Sequence, residues 1–311
     1  MRAPSAAEPL PDVPREGGLP GAAAADCGPP LGVVTVTYSP GESLPTFMST
    51  LATATTCRYA VTLADNGSTD GEPEKAARAD GVTLLRTGAN IGFGAAANVG
   101  VAQTASDWVV VANPDVEWRP GSIDGLLAAA ARWPKAGAIG PAIITANGDL
   151  YPSARAIPSL GRGIAHALLG WWWPSNPWTR SYRREQGSPA EGPVGWLSGS
   201  CLLLRRDAFC SVEGFDPSYF MYFEDLDLCE RLGSAGWTCV YVPSVVVGHT
   251  GGHATRKAPA AMVLEHHRSA YRYLSRRYAG AGYLPLRLAI RVGLAVRARL
   301  SRVVHGIGEG A

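Results

Sequence analysis

The chain has 311 residues, enough for one large α/β domain or two small ones, and its 46% hydrophobic content permits a sizeable core. A net charge of only +2 excludes a general nucleic-acid binder, which needs a strongly basic face. No pair among Cys27, Cys57, Cys201, Cys210, Cys229 and Cys239 has C-x-x-C spacing, so neither a zinc site nor a redox motif is expected. Several of these cysteines lie in apolar runs, which indicates reduced thiols and no disulfide framework.

Residues 1–30 are rich in Ala, Pro and Gly and lack a continuous apolar run, so they read as a disordered leader and not as a signal peptide. Strands are predicted at 31–38, 59–64, 82–86 and 107–112, where β-branched residues run between turn formers. Helices are predicted at about 44–53, 72–79 and 93–104. Strands alternating with helices imply βαβ units, and continuous apolar strands imply a mostly parallel sheet covered on both faces. Beyond Pro134, 136–144 is strand-like and 151–192 is irregular, with the aromatic run "WWWPSNPW" at 171–178. Residues 192–209 read as strand into helix. Residues 223–236 read as a helix ended by Gly233 or Gly236, and 237–249 as a strand. No stretch reaches the roughly 20 apolar residues of a membrane span. Between Arg268 and Arg302 there are nine arginines and no acid, a pattern that suits an anionic membrane surface or, equally, a solvated helix face.

Ligands of such a sheet bind at the carboxyl ends of its strands. The second strand ends in "DNGSTDG", where Asp65 and Asn66 make either an Asx-turn or contacts to a nucleotide. The third leads into "TGANIGFGAAANVG". Its glycines do not fit G-x-G-x-x-G, so a dinucleotide-binding Rossmann site is a poor reading. Gly92 and Gly94 permit close backbone approach, and Asn90 and Asn98 offer hydrogen bonds; the plain alternative is a tight turn before a small-residue helix packed on the sheet. The fourth strand ends in Asn113-Pro114-Asp115, either a β-turn or a variant Asp-x-Asp site for Mg2+ or Mn2+ against a diphosphate. Glu224, Asp225, Asp227 and Glu230 crowd one helix start among Tyr219, Phe220, Tyr222 and Phe223. Apolar surroundings raise a carboxyl pKa and suit it to general-base work. His249 ends the last strand, either as a structural residue or as a metal ligand.

Taken in order, "VVTVTY", "ADNGSTDG", "TGANIGFGAAANVG", "VVVANPDV", "WLSGSCLLLRRDAF", "GFDPSYFMYFEDLDLCERLGSAGW" and "VVVGH" resemble the inverting glycosyltransferases of family 2. The resemblance covers residues 31–255 and implies an α/β GT-A fold with a mixed, mostly parallel sheet flanked by helices. The nucleotide-sugar half would be 31–135, the acceptor half 136–255, and the basic amphipathic remainder 256–311. Within the family the likeness is to bacterial rhamnosyltransferases, in which Asn-Pro-Asp often replaces Asp-x-Asp. It narrows to actinobacterial enzymes of the linker between arabinogalactan and peptidoglycan.

What the resemblance implies can be assigned residue by residue. Thr37, Tyr38, Asp65, Asn66, Asn90, Gly92, Phe93, Asn98, Asn113 and Asp115 would form the nucleotide-sugar pocket. Asp115 and His249 would hold Mg2+ or Mn2+. Asp225 would be the general base, with Glu224 the alternative. Trp196, Gly199 and Ser200 would border the acceptor. The donor would be dTDP-L-rhamnose and the acceptor N-acetylglucosamine on a polyprenyl diphosphate. The tryptophan run and "LPLRLAIRVGLAVRARL" (284–300) would rest on the cytoplasmic face of the plasma membrane. Rival readings are transfer of another sugar, such as galactofuranose or glucose, and an inactive nucleotide-sugar-binding scaffold.

Overall fold

The protein is described here by a computed structural model covering residues 29–157, 190–251 and 259–294. Residues 1–28 of the leader, with Cys27, the 171–178 tryptophans and residues 295–311 lie outside the described residues.

Strand β1 (Leu31–Thr37) is buried along its whole length, as a continuous β-branched strand covered on both faces should be. It lies between β2 (Tyr59–Asp65) and β4 (Trp108–Ala112), parallel to both, and β3 (Val82–Arg86) extends the sheet beyond β2. The chain reaches β2 through α1 (Ser43–Ala54) and β3 through α2 (Glu72–Ala76), then crosses back through α3 (Phe93–Val101) to β4. The strand order β3-β2-β1-β4 therefore reverses direction beside β1. That reversal opens a crevice at the carboxyl ends of the strands, where Thr37, Asp65 and Ala112 finish.

The second half completes a mixed sheet. After β5 (Val116–Trp118) and α4 (Ser122–Arg132), β6 (Ala136–Thr145) is separated from β4 by β11 (Cys201–Arg205), which is antiparallel to both. Strand β12 (Thr238–His249) runs parallel to β6, and β5 pairs antiparallel with its end, setting His249 opposite Val116. Two short strands join the edges, β7 (Leu150–Tyr151) on β6 and β9 (Gly192–Val194) on β12, while β8 (Ala154–Arg155) and β10 (Trp196–Leu197) form a small separate ribbon. Helices α5 (Arg206–Ser211), α6 (Glu224–Ser234) and α7 (Pro259–Arg277) follow, and residues 284–294 are again helical.

Both sheet faces are covered. Phe47, Leu51, Ile123 and Leu126 from α1 and α4 form one core, and Ala96, Ala97, Leu228 and Leu232 from α3 and α6 form the other. Full burial of a side chain such as Phe47 contributes roughly 2 kcal/mol. Helix α3 sits close against β1 because position 100 is glycine; a Cβ there would lie 2.4 Å from Val34 Cγ1.

Three elements differ from the sequence expectation. Helix α2 ends at Ala76, not 79, because Arg78 and Ala79 turn onto Lys75 and Ala76 carbonyls before Gly81 takes a φ of +75°. Helix α3 ends at Val101, not 104, where the Thr104 amide and hydroxyl both donate to the Val101 carbonyl. The 192–209 stretch is not one strand before a helix. It breaks into β9, β10 and β11, since Gly195 abuts the backbone of Ala156 and Ile157 and a turn occupies 198–200. Of the two glycines that could end α6, Gly236 does so, at φ +87°, while the Trp237 amide returns to the Leu232 carbonyl.

Candidate active site

The first component of the site is built from strand ends. Asp65 is buried, and its Oδ1 accepts hydrogen bonds from Thr37 Oγ1 (2.9 Å) and the Ser68 amide (3.1 Å). The carboxylate thus closes an Asx-type turn and is held rigid at the crevice floor. Asn66 donates Nδ2 to the Gly92 carbonyl (3.1 Å) and accepts from Thr87 Oγ1 (3.1 Å), tying the β2 loop to the glycine-rich loop. In that loop Asn90 Oδ1 accepts the Gly92 amide, and the Phe93 amide donates to the Phe220 carbonyl (3.1 Å). Gly92 has φ +89°, and a Cβ there would lie 2.4 Å from Phe220 O, so both conformation and space demand glycine. Tyr38 is 47% exposed beside the crevice.

Asn98 has a different part. Its amide exchanges two hydrogen bonds with the Phe215 backbone, at 2.7 and 2.9 Å, so its polar atoms are spent on pinning α3 to the loop that precedes α6. For the rest of the glycine-rich stretch, α3 is a small-residue helix packed on the sheet.

Pairing of β12 with β5 brings His249 beside Asp115. His249 Nε2 lies 3.0 Å from Asp115 Oδ1, and Asn113 Nδ2 lies 3.3 Å from the same nitrogen. Asp115 is buried and His249 is half-buried. A separation of 3.0 Å matches the edge between adjacent ligands of a cation bound at about 2.1 Å. Among the described residues no group of three or more His, Cys, Asp or Glu side chains could hold a metal. Asp115 and His249 could supply two ligands to a divalent ion whose remaining positions go to phosphate and water oxygens.

The third component is the acid pair at the start of α6. The Gly199 amide donates to Asp225 Oδ2 (2.8 Å) and the Leu226 amide to Asp225 Oδ1 (2.8 Å). Burial pushes Asp225 above the ordinary carboxylate range, against the opposing pull of these amides and of the Arg155 charge. Glu224 is 7% exposed, and its Oε2 meets no donor among the described residues. Burial and the neighbouring Asp225 charge push it up to about 8. Two adjacent acids in a poorly solvated site do not ionise together easily, and the two amides on Asp225 favour its charged form while Glu224 Oε2 has no such donor among the described residues.

The turn 198–200 joins these parts. Ser200 offers its carbonyl to the Asn113 amide (2.9 Å) while Gly199 holds Asp225. Trp196 lies under the Arg155 guanidinium, 5.4 Å from the ring centroid. The structure thus gathers Asp115 with His249, Asp65 with Asn66 and Gly92, and Asp225 with Gly199. Sequence reasoning passes over Arg155, an isolated cation in an irregular stretch with no periodicity to mark it. It also passes over the Phe220 carbonyl, a backbone group that no residue type signals.

Residues 32–211 match the family model described as Glycosyl transferase family 2, and residues 180–300 match Glycosyl transferase family group 2. The chain is 54% identical over 282 residues to the N-acetylglucosaminyl-diphospho-decaprenol L-rhamnosyltransferase of Mycobacterium tuberculosis, covering 87% of this chain and 92% of that protein. It is 43% identical over 84 residues to the rhamnosyltransferase WbbL of Escherichia coli, covering 27% of this chain and 32% of that one. Among solved structures, the mannosyltransferase PcManGT of Pyrobaculum calidifontis, in complex with GDP-Man and Mn2+, superimposes with a TM-score of 0.54 at 14% identity. That match covers 92% of this chain and 79% of the other and shows a common GT-A fold.

Proposed function

The chain belongs to glycosyl transferase family 2, and from that premise we propose that it moves L-rhamnose from dTDP-L-rhamnose to N-acetylglucosamine on a polyprenyl diphosphate, with inversion at the anomeric carbon. The observation that carries this reading is the 198–200 turn, which fastens the Asp115 loop on one side and Asp225 on the other. Extensive identity to an enzyme named for this acceptor supports the choice of sugar and lipid. The product would be a disaccharide-lipid precursor of the linker between arabinogalactan and peptidoglycan.

The reaction is one in-line displacement. Asp65 and the Gly92 loop hold the nucleotide so that the sugar's anomeric carbon faces Asp225. Asp225 takes the proton of the acceptor hydroxyl as its oxygen bonds to that carbon and the bond to the diphosphate breaks. A divalent ion held by Asp115 and His249 would neutralise the charge gathering on the departing diphosphate. Trp196 offers an aromatic face to the acceptor, and Glu224 keeps its proton beside the base.

The same reading places the enzyme peripherally on the cytoplasmic face of the plasma membrane. Leu284, Leu288 and Val292, four residues apart on a helical segment, are 52, 53 and 62% exposed, and Tyr283 adjoins them. An exposed apolar stripe among arginines suits the interface of an anionic leaflet. Among the described residues no helix is long and apolar enough to cross a membrane.

The test is transfer by the purified chain, with Mg2+ and polyprenyl-diphosphate N-acetylglucosamine, across a panel of nucleotide sugars. A lipid heavier by one rhamnose, formed from dTDP-rhamnose alone, is the expected product. Transfer of another sugar would keep the mechanism and discard the donor, and nucleotide binding without transfer would favour a scaffold.

A further inference from the structure

Two consecutive aromatic residues just before the acid pair adopt a backbone conformation that L-residues avoid. Tyr222 and Phe223 both have φ +68°, and Phe223 is the N-cap of α6, whose first residues are Glu224 and Asp225. Such a conformation is costly for a residue with a Cβ and persists only where its surroundings enforce it. These two angles set the direction in which α6 leaves the loop, and so where Asp225 stands.

The enforcement comes from α7, and one face of that helix carries it. Ser269 is buried and donates Oγ to the Met221 carbonyl at 2.8 Å. The His266 ring meets both Tyr222 and Phe223 edge-on, with centroids 5.4 Å away in each case. Tyr273 is buried with its ring 5.7 Å from that of Phe223. Residues 266, 269 and 273 fall three and four apart, so they share a face. Farther along, Arg276 bonds Asp227 of α6 (3.0 Å) and Asp216 of the preceding loop (3.1 Å). At the other end of the strained segment, Phe220 O accepts the Phe93 amide of the donor loop.

We propose that α7 is a positioning clamp: His266 and Ser269 hold Tyr222–Phe223 in the left-handed conformation that aims Asp225 at the acceptor. His266 touches neither substrate in this role and acts through the backbone ahead of the base. The proposal rests on the reading of Asp225 as the base of a transferase.

The test is steady-state transfer by the full chain and by His266→Ala, His266→Phe and Ser269→Ala, with melting midpoints alongside. A misaimed base lowers kcat by about 10- to 100-fold in His266→Ala while the donor KM stays within about twofold, because Asp65, Gly92 and Asp115 are untouched. Phenylalanine keeps an edge-on ring, so His266→Phe recovers most of the lost kcat. Ser269→Ala loses about fivefold in kcat through the missing hydrogen bond. Wild-type kcat in both alanine variants overturns the clamp. So does a fall in kcat that comes with a raised donor KM and a lowered melting midpoint and that phenylalanine does not repair. An inactive wild-type chain overturns instead the transferase reading beneath it.

Discussion

Gly199 donates its backbone N–H to Asp225 Oδ2 at 2.8 Å, across 26 residues of sequence. The next residue, Ser200, accepts the amide of Asn113 through its carbonyl. One short turn therefore sets the spacing between the Asp225 carboxylate, the proposed base, and the loop that presents Asp115. A Cβ at position 199 would stand 3.3 Å from Asp225 Cβ, a tight contact that Asp225 would have to yield to. The turn is thus tied to the Asn113 loop by a backbone–backbone hydrogen bond and to α6 by a backbone–carboxylate one.

Glu224 makes stability depend on pH. Its carboxyl is pushed from 4.5 up to about 8 in the folded chain, so folding favours its protonated form. That contribution is fully present below the unfolded value and is lost as pH rises towards about 8. Glu224→Gln lacks this loss. Its melting midpoint should gain on wild type between pH 5 and pH 8, by about 3 °C for each kcal/mol. An equal gap between the two proteins at both pH values would show that the buried carboxyl is not held up.

Asp115 and His249 should control the metal requirement. Asp115→Asn and His249→Ala are each expected to raise the Mg2+ concentration for half-maximal transfer by at least about tenfold. Nucleotide binding in the presence of a chelator should barely change, because neither substitution touches Asp65 or the Gly92 loop, the proposed nucleotide contacts. Titration of activity against Mg2+ checks this, and an unaltered midpoint in both variants would remove the pair from the metal site.

The exposed stripe on 284–294 should drive lipid binding. Replacing Leu288 and Val292 together by glutamate is expected to weaken cosedimentation with anionic vesicles by at least about tenfold, since two apolar anchors are lost and two like charges face the surface. Transfer to a short-chain soluble acceptor should survive. Unchanged sedimentation would assign the stripe to some other contact.

Much of this was legible in the sequence, for identifiable reasons. Strands β1 to β4 are continuous β-branched runs between turn formers, and a doubly covered parallel sheet leaves that trace. Asp65 and Asp115 stand out as acids where apolar strands stop. Glu224 and Asp225 stand out as acids among aromatics at a helix start. His249 becomes informative only through its neighbour, which the β12–β5 register supplies and no local pattern encodes. Asn98 reads equally well as a pocket amide, and only the fold shows it holding Phe215. The left-handed pair at 222–223 has no glycine to announce it; tertiary contacts from α7 impose what local preference opposes. Arg155 depends likewise on a two-residue ribbon too short to predict.

The most direct test of the account is rhamnosyl transfer by Asp225→Asn and Glu224→Gln beside wild type, under saturating donor and Mg2+. Asparagine cannot take the acceptor proton, so Asp225→Asn should lose about 100- to 10,000-fold in kcat. Glutamine mimics a carboxyl that is already protonated, so Glu224→Gln should stay within about threefold of wild type at pH 7. The reverse pattern, with Glu224→Gln inactive and Asp225→Asn intact, would contradict the assignment of Asp225 as the base.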